Sequence, residues 1–167
     1  MVPQDTQVVH QNWLSPPQNG FKVNYDTVVE KSPNRGAIAV VIRNHLSHIL
    51  DWHSGVISHL LEALPLEAMA CREALLFISD KQLHGVTVEG DSNTLVDVIN
   101  NNAPPTAIFS LVHDIIEICK LLNYILFSFV KREGNKVVHC LAQKAPRDSS
   151  FCINPMIQNH FVRSLSI

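Results

Sequence analysis

Polar and apolar residues alternate from Phe21 to Asp26, with Phe21, Val23 and Tyr25 on one side and Lys22, Asn24 and Asp26 on the other. This is the two-residue period of a β-strand, and the strand presents Asp26 at its end. After a break at Ser32-Pro33-Asn34, the stretch Ala37 to Arg43 is rich in Val and Ile, and a third β-leaning stretch runs from His48 to about Val56. Short connections between the three predict an antiparallel meander. From about Leu64 the period changes: Leu64, Ala68, Cys71, Leu75 and Ile78 fall on one face of a helix, with Glu67 in its first turn. Val86 to Glu89 returns to strand and leads through Gly90 and Asp91 to Ser92, a cap for a helix from Asn93 to Ile99. Pro104 and Pro105 precede a helix over about Thr106 to Leu122. The stretch Tyr124 to Val130 is short, aromatic and β-branched, and Arg132-Glu133-Gly134-Asn135 turns the chain into a last helix from about Lys136 to Ala145.

This order predicts an α/β domain built on a five-stranded mixed sheet flanked by helices. Strands one to three pair antiparallel, and strands four and five, each reached through a helical crossover, lie parallel to the first. Residues 1–19 are polar and carry turn formers, so they read as a tail or a strap over a domain spanning 20–146, and 147–167 as a frayed tail. There is no internal repeat.

Composition narrows the class. The 167 residues are the size of one ordinary domain. With 46% hydrophobic and 17% charged residues and a mean hydropathy of +0.09, the chain has enough apolar material for a core. Thirteen Lys and Arg against fifteen Asp and Glu leave a net charge of -2, so a nucleic-acid role needs a local site. Cys71, Cys119, Cys140 and Cys152 form no CxxC pair and no cluster with His at zinc spacing, and they read as reduced, mostly buried thiols. His45, His48, His53 and His59 are close in sequence, but their spacing fits neither a zinc motif nor one strand face. The first twenty residues are polar and hold Pro16 and Pro17 in place of an apolar signal, which favours an intracellular protein of the nucleus or the cytoplasm. No window reaches the length of a membrane span, so no membrane partner is expected.

Asp26 after the first strand, Asp91 after the fourth and Glu67 on the first helix can converge. Parallel neighbouring strands bring their C-terminal ends together, where ligands of open α/β sheets gather. Three grouped carboxylates repel one another unless their pKa values rise or a hard cation such as Mg²⁺ offsets the charge. Two-ion phosphoryl chemistry uses such an oxygen cluster. Each residue also has a plain structural reading: Asp26 as a turn residue, Asp91 as a cap, Glu67 as a partner of its helix dipole.

Several phrases in order resemble a known family. They are Trp13-Leu14-Ser15-Pro16-Pro17, Gly20 to Asp26, Val41-Ile42-Arg43-Asn44-His45, Leu66-Glu67-Ala68-Met69-Ala70 with Arg72-Glu73-Ala74-Leu75, Val88-Glu89-Gly90-Asp91-Ser92, and Lys131-Arg132-Glu133-Gly134-Asn135 with His139-Cys140-Leu141-Ala142. From about Trp13 to Ala145 the chain resembles the plant RNase H-like domain, also called the reverse-transcriptase-like RNase H domain, of retroelement polyproteins and free-standing plant proteins. The resemblance implies the mixed sheet described above. It places Asp26, Glu67 and Asp91 at the family's metal-binding carboxylates, holding two Mg²⁺ (or Mn²⁺) ions. The implied activity is endonucleolytic hydrolysis of the RNA strand of an RNA/DNA hybrid, leaving 5′-phosphate and 3′-hydroxyl ends, by a monomer. The RNA strand would be recognised through its 2′-hydroxyls. Thr27, Ser92 and Asn93, beside the carboxylates, are candidates for substrate contact, and Ser92 and Asn93 serve equally as caps.

The chain departs from the family pattern at three places. Asp26-Thr27-Val28 stands for Asp-Gly-Ala, Ser47 for a hairpin glycine, and His139 for the fourth carboxylate of ordinary RNase H enzymes, a replacement many plant members share. Neutral imidazole binds Mg²⁺ poorly, so His139 is expected to move protons or support a ligand rather than replace one. The departures and the acidic balance support a second reading, an RNase H-like domain of weak or no activity that serves as a nucleic-acid or protein interaction module. A third is a retroelement remnant without a selected function.

Overall fold

A computed structural model describes residues 13–31, 34–58, 62–101 and 103–147. The strands are β1 (Phe21–Lys31), β2 (Asn34–Asn44), β3 (Ile49–Ser58), β4 (Val86–Gly90) and β5 (Ile125–Phe129). The helices are α1 (Ala63–Asp80), α2 (Asn93–Asn101), α3 (Phe109–Leu121) and α4 (Lys136–Lys144), with 3-10 turns at Thr106–Ile108 and Arg132–Asn135. The sheet order is β3-β2-β1-β4-β5. β1–β2 and β2–β3 are antiparallel, and β1–β4 and β4–β5 are parallel, as the element order predicts.

The pleat of β1 and β2 divides the interior. Val23, Tyr25, Ile38, Val40 and Ile42 face the main core, which α1, α2 and α3 complete with residues such as Leu66, Leu75, Leu95 and Ile115. Ala39 and Val41, on the opposite face, meet Val138 and Ala142 of α4 in a smaller cluster. α1 is buried along most of its length because it lies between the sheet and α3, which is why a single apolar stripe understates its apolar content. Gly90 permits a close approach: a Cβ there would overlap the ring of the fully buried Tyr25.

Three expectations change. β1 does not end at Asp26; it continues to Lys31 because the hairpin with β2 keeps pairing through Lys31 and Asn34. Asp26 therefore sits in mid-strand. Glu67 is the fifth residue of α1 rather than part of its first turn. The turn expected at Arg132 to Asn135 is present, as a 3-10 turn that leads straight into α4. Of the thiols, Cys71 is buried, Cys119 partly so and Cys140 exposed, so "mostly buried" does not describe them. Cys152, His59, Ser32, Pro33 and most of the two expected tails lie outside the described residues. Among the described residues no helix is long and apolar enough to cross a membrane.

Candidate active site

The site forms where β4 stops. Parallel pairing between β1 and β4 runs from Phe21 with Val86 to Asn24 with Glu89, and β4 ends at Gly90. Beyond that point β1 continues with β2 on one side only, which opens a crevice beside Asp26. Asp26 has the parity of the α4 face, whereas Glu67 comes from α1 on the other face. The crevice lets the two meet. One carboxylate oxygen from each of Asp26, Glu67 and Asp91 lies within 4.8 Å of the others.

Each carboxylate has a polar neighbour on at least one oxygen. Asp26, 0% exposed, accepts the Thr27 backbone N–H at 2.8 Å and lies 2.5 Å from His139 Nδ1. Glu67 accepts the Thr27 hydroxyl on Oε1 at 2.5 Å, while its buried Oε2 has no partner. Asp91 Oδ2 accepts Arg132 Nε–H at 3.1 Å. Burial and the Asp91 charge push Asp26 up to about 6, against the Thr27 amide and His139, which pull it down. Burial pushes Glu67 up to about 8, reinforced by Asp26 and Asp91 and opposed by the Thr27 hydroxyl and Arg132. An orphaned buried carboxylate oxygen among three repelling carboxylates is the donor set of a hard divalent cation, so these residues fit such an ion.

The structure places the other candidates as follows. Thr27 directs its hydroxyl inward to Glu67 rather than to solvent. Ser92 caps α2, its Oγ accepting the Leu95 N–H at 3.3 Å, and Asn93 donates its side-chain amide to Asp97 at 3.2 Å. His139 meets Asp26. Arg132 also joins the site; nothing local in the sequence ties its turn to Asp91, 41 residues away.

A second group escaped sequence reading. Lys22, Asn24 and Glu89 are buried on the α4 face beside Asp26. Lys22 Nζ lies 2.9 Å from Glu89 and donates to the Leu14 carbonyl at 2.6 Å. Asn24 accepts Trp13 Nε1–H at 2.9 Å and donates to Glu89 and to Asn135, which in turn donates to the Tyr25 carbonyl. Arg43 and Lys22 stack on the Trp13 ring. The side-chain polar atoms of Lys22, Asn24, Glu89 and Asn135 all have partners, and through Asn135 the run fixes the start of α4 and hence His139. The available signal was the polar half of the β1 alternation itself.

His53 is buried edge-on against Phe77, and burial lowers its pKa to about 4. His45 and His48 lie in the β2–β3 connection, and among the described residues only the three carboxylates form a metal-binding constellation.

No curated protein matches the sequence. Solved structures do match in shape. RNase H1 from the halophilic archaeon Halobacterium salinarum superposes with a TM-score of 0.72 at 17% identity, covering 78% of this chain and 99% of that one. The N-terminal RNase H domain of a Mycobacterium tuberculosis protein gives 0.68 at 15%, covering 75% and 92%. LC11-RNase H1, isolated from compost by metagenomics and solved with an RNA/DNA hybrid, gives 0.68 at 20%, covering 75% and 95%. At these identities the likeness is one of fold. The family described as reverse transcriptase-like matches residues 24–145, from the strand that carries the first carboxylate to the end of α4. The chain belongs to this reverse transcriptase-like family, on an RNase H fold.

Proposed function

We propose that the protein is a metal-dependent endonuclease that hydrolyses the RNA strand of RNA/DNA hybrids. The observation that carries this reading is the convergence of Asp26, Glu67 and Asp91 within 4.8 Å at the crevice between β1 and β4. The orphaned Glu67 Oε2 adds support. Asp26, Glu67 and Asp91 would hold two Mg²⁺ or Mn²⁺ ions. Bound there, such ions supply positive charge to the reacting phosphate and lower the pKa of the attacking water.

The chain's own residues set the conditions. Thr27 holds Glu67 Oε1 and, through its amide, Asp26 Oδ1, so the two oxygens keep their places without an ion. Contact between His139 Nδ1 and Asp26 Oδ2 requires one proton between them, on Nδ1 when Asp26 is ionised. His139 and Asp26 thus form an acid–base couple at the rim, with His139 moving protons rather than replacing a carboxylate. Ser92 and Asn93, at the N-terminus of α2 beside Asp91, are the substrate-facing candidates.

The test is cleavage of a labelled RNA/DNA hybrid by purified protein with Mg²⁺ or Mn²⁺. Cutting confined to the RNA strand, abolished by EDTA and by Asp26→Asn, is the expected result. Absence of cutting by folded protein that still binds Mn²⁺ refutes the nuclease and leaves an interaction module.

A further inference from the structure

Five of the thirteen Lys and Arg residues lie between Lys131 and Arg147, against one of the fifteen acidic residues, Glu133. A chain of net charge -2 therefore carries one locally basic strip. Among the described residues, two of the five cations form ion pairs: Arg132 with Asp91, and Arg147 3.8 Å from Glu30. Lys136 and Lys144, the exposed first and last residues of α4, lie at either end of a groove of about 340 Å³ between α4 and the edge strand β3. Its walls are apolar, with Ile49 and Trp52 from β3 facing Val137, Cys140 and Leu141 from α4. Ile49 is 50% exposed and Trp52 42%, so the apolar surface is contiguous and faces solvent.

An open groove with an aromatic wall and ammonium groups at its ends suits an unpaired nucleic-acid strand, whose bases rest on apolar surface while its phosphates meet the cations. A protein partner would use the walls and leave the lysines without counter-charges. The dimensions agree. Eight helical steps take Lys136 to Lys144, about 12 Å, the rise of roughly three or four stacked nucleotides. The groove also starts close to the carboxylates, because Lys136 precedes by one turn His139, which touches Asp26.

We propose that the β3–α4 groove binds a short single-stranded extension of the nucleic acid whose duplex part occupies the carboxylate site. This rests on the nuclease reading. It gives the protein a preference for hybrids that end in, or adjoin, unpaired nucleotides.

The experiment measures binding by fluorescence anisotropy in low salt, with Asp26→Asn as the common background to keep the RNA strand intact. A blunt RNA/DNA hybrid is compared with the same hybrid carrying a four-nucleotide single-stranded extension. The extension is expected to tighten binding about tenfold. A Lys136→Glu/Lys144→Glu pair and, separately, Trp52→Ala should abolish that gain and leave the blunt hybrid unchanged. The charge pair lies on the exposed side of α4 and keeps the test valid if Trp52→Ala misfolds. Equal binding of the two hybrids, or a gain that survives the charge reversal, overturns the proposal while leaving the nuclease reading intact. Equal binding together with a concentration-dependent dimer overturns it in favour of a second copy in the groove. Failure of both hybrids to bind overturns the nuclease reading and this inference with it.

Discussion

Thr27 shows how one side chain can replace what a family pattern usually omits. A glycine in its place would leave Glu67 with both oxygens lacking a donor, whereas the Thr27 hydroxyl satisfies one of them at 2.5 Å. Thr27→Val keeps the β-branched shape and removes the donor. Hydrogen bonds to charged groups contribute about 1.5–3 kcal/mol, so cleavage should fall roughly 10- to 100-fold, and the acid limb of its pH profile should move to higher pH because the bond that favours ionised Glu67 is gone. A pH–rate profile checks this, and an unchanged profile would deny Thr27 the role. Glu73 behaves differently. It is 1% exposed, neither oxygen has a partner, and burial pushes it up to about 7. The folded state holds the proton more tightly than the unfolded chain, so stability from this group is complete below about 4.5 and declines as pH rises to about 7. Glu73→Gln should be near neutral at pH 4.5 and stabilising by up to roughly 3 kcal/mol at pH 8. Urea melts at the two pH values decide it. Neither property was legible in the sequence, because Glu67 and Glu73 look alike on a helix until their neighbours from other elements are known.

At the scale of elements, the sequence made the order and direction of all five strands legible, because alternation and helix spacing are local. Lengths were not. β1 outruns its alternating segment because pairing with β2, a property of two strands, sustains it to Lys31. The buried polar stripe Lys22, Asn24, Asp26 was equally hidden, since alternation says that one side differs from the other and not what will cover it. Trp13, Glu89 and Asn135 do so. The β2–β3 hairpin is a case where a sequence departure has a structural cost. Ser47 takes φ 66°, the left-handed region, while the Asn44 side chain accepts the N–H groups of Leu46 and His48 to hold the turn. Ser47→Gly should raise stability by about 1 kcal/mol without touching the carboxylates. A thermal melt with a higher midpoint and unaltered metal binding is the expected outcome.

For the whole molecule, the raised Asp26 and Glu67 make the metal-free fold lose stability as pH rises, over about 3.8 to 6 for Asp26 and about 4.5 to 8 for Glu67. His53 acts in the opposite sense: its depressed pKa costs stability as pH falls from about 6.5 through 4. Divalent ions that bind only the folded state should offset the first effect by about 2.7 kcal/mol at a hundredfold excess over Kd. Calorimetry is expected to show a midpoint several degrees higher with Mn²⁺ at pH 8 and a much smaller rise at pH 5. The same rise in Asp26→Asn and wild type would place the ions elsewhere.

The tie between β1 and α4 also bears on how the protein is made. Asn24 finds Asn135 111 residues further along, and Asp26 finds His139 113 residues further along. A nascent chain can zip β1 to β3 as they leave the ribosome, because those pairings are local. Until α4 emerges, the first strand of that meander carries the Lys22 ammonium and the Asp26 carboxylate on a face with nothing to lie against. Synthesis must therefore run almost to Lys144 before the interior closes, and a stalled or prematurely terminated product would be a substrate for chaperones and proteases rather than a partial enzyme.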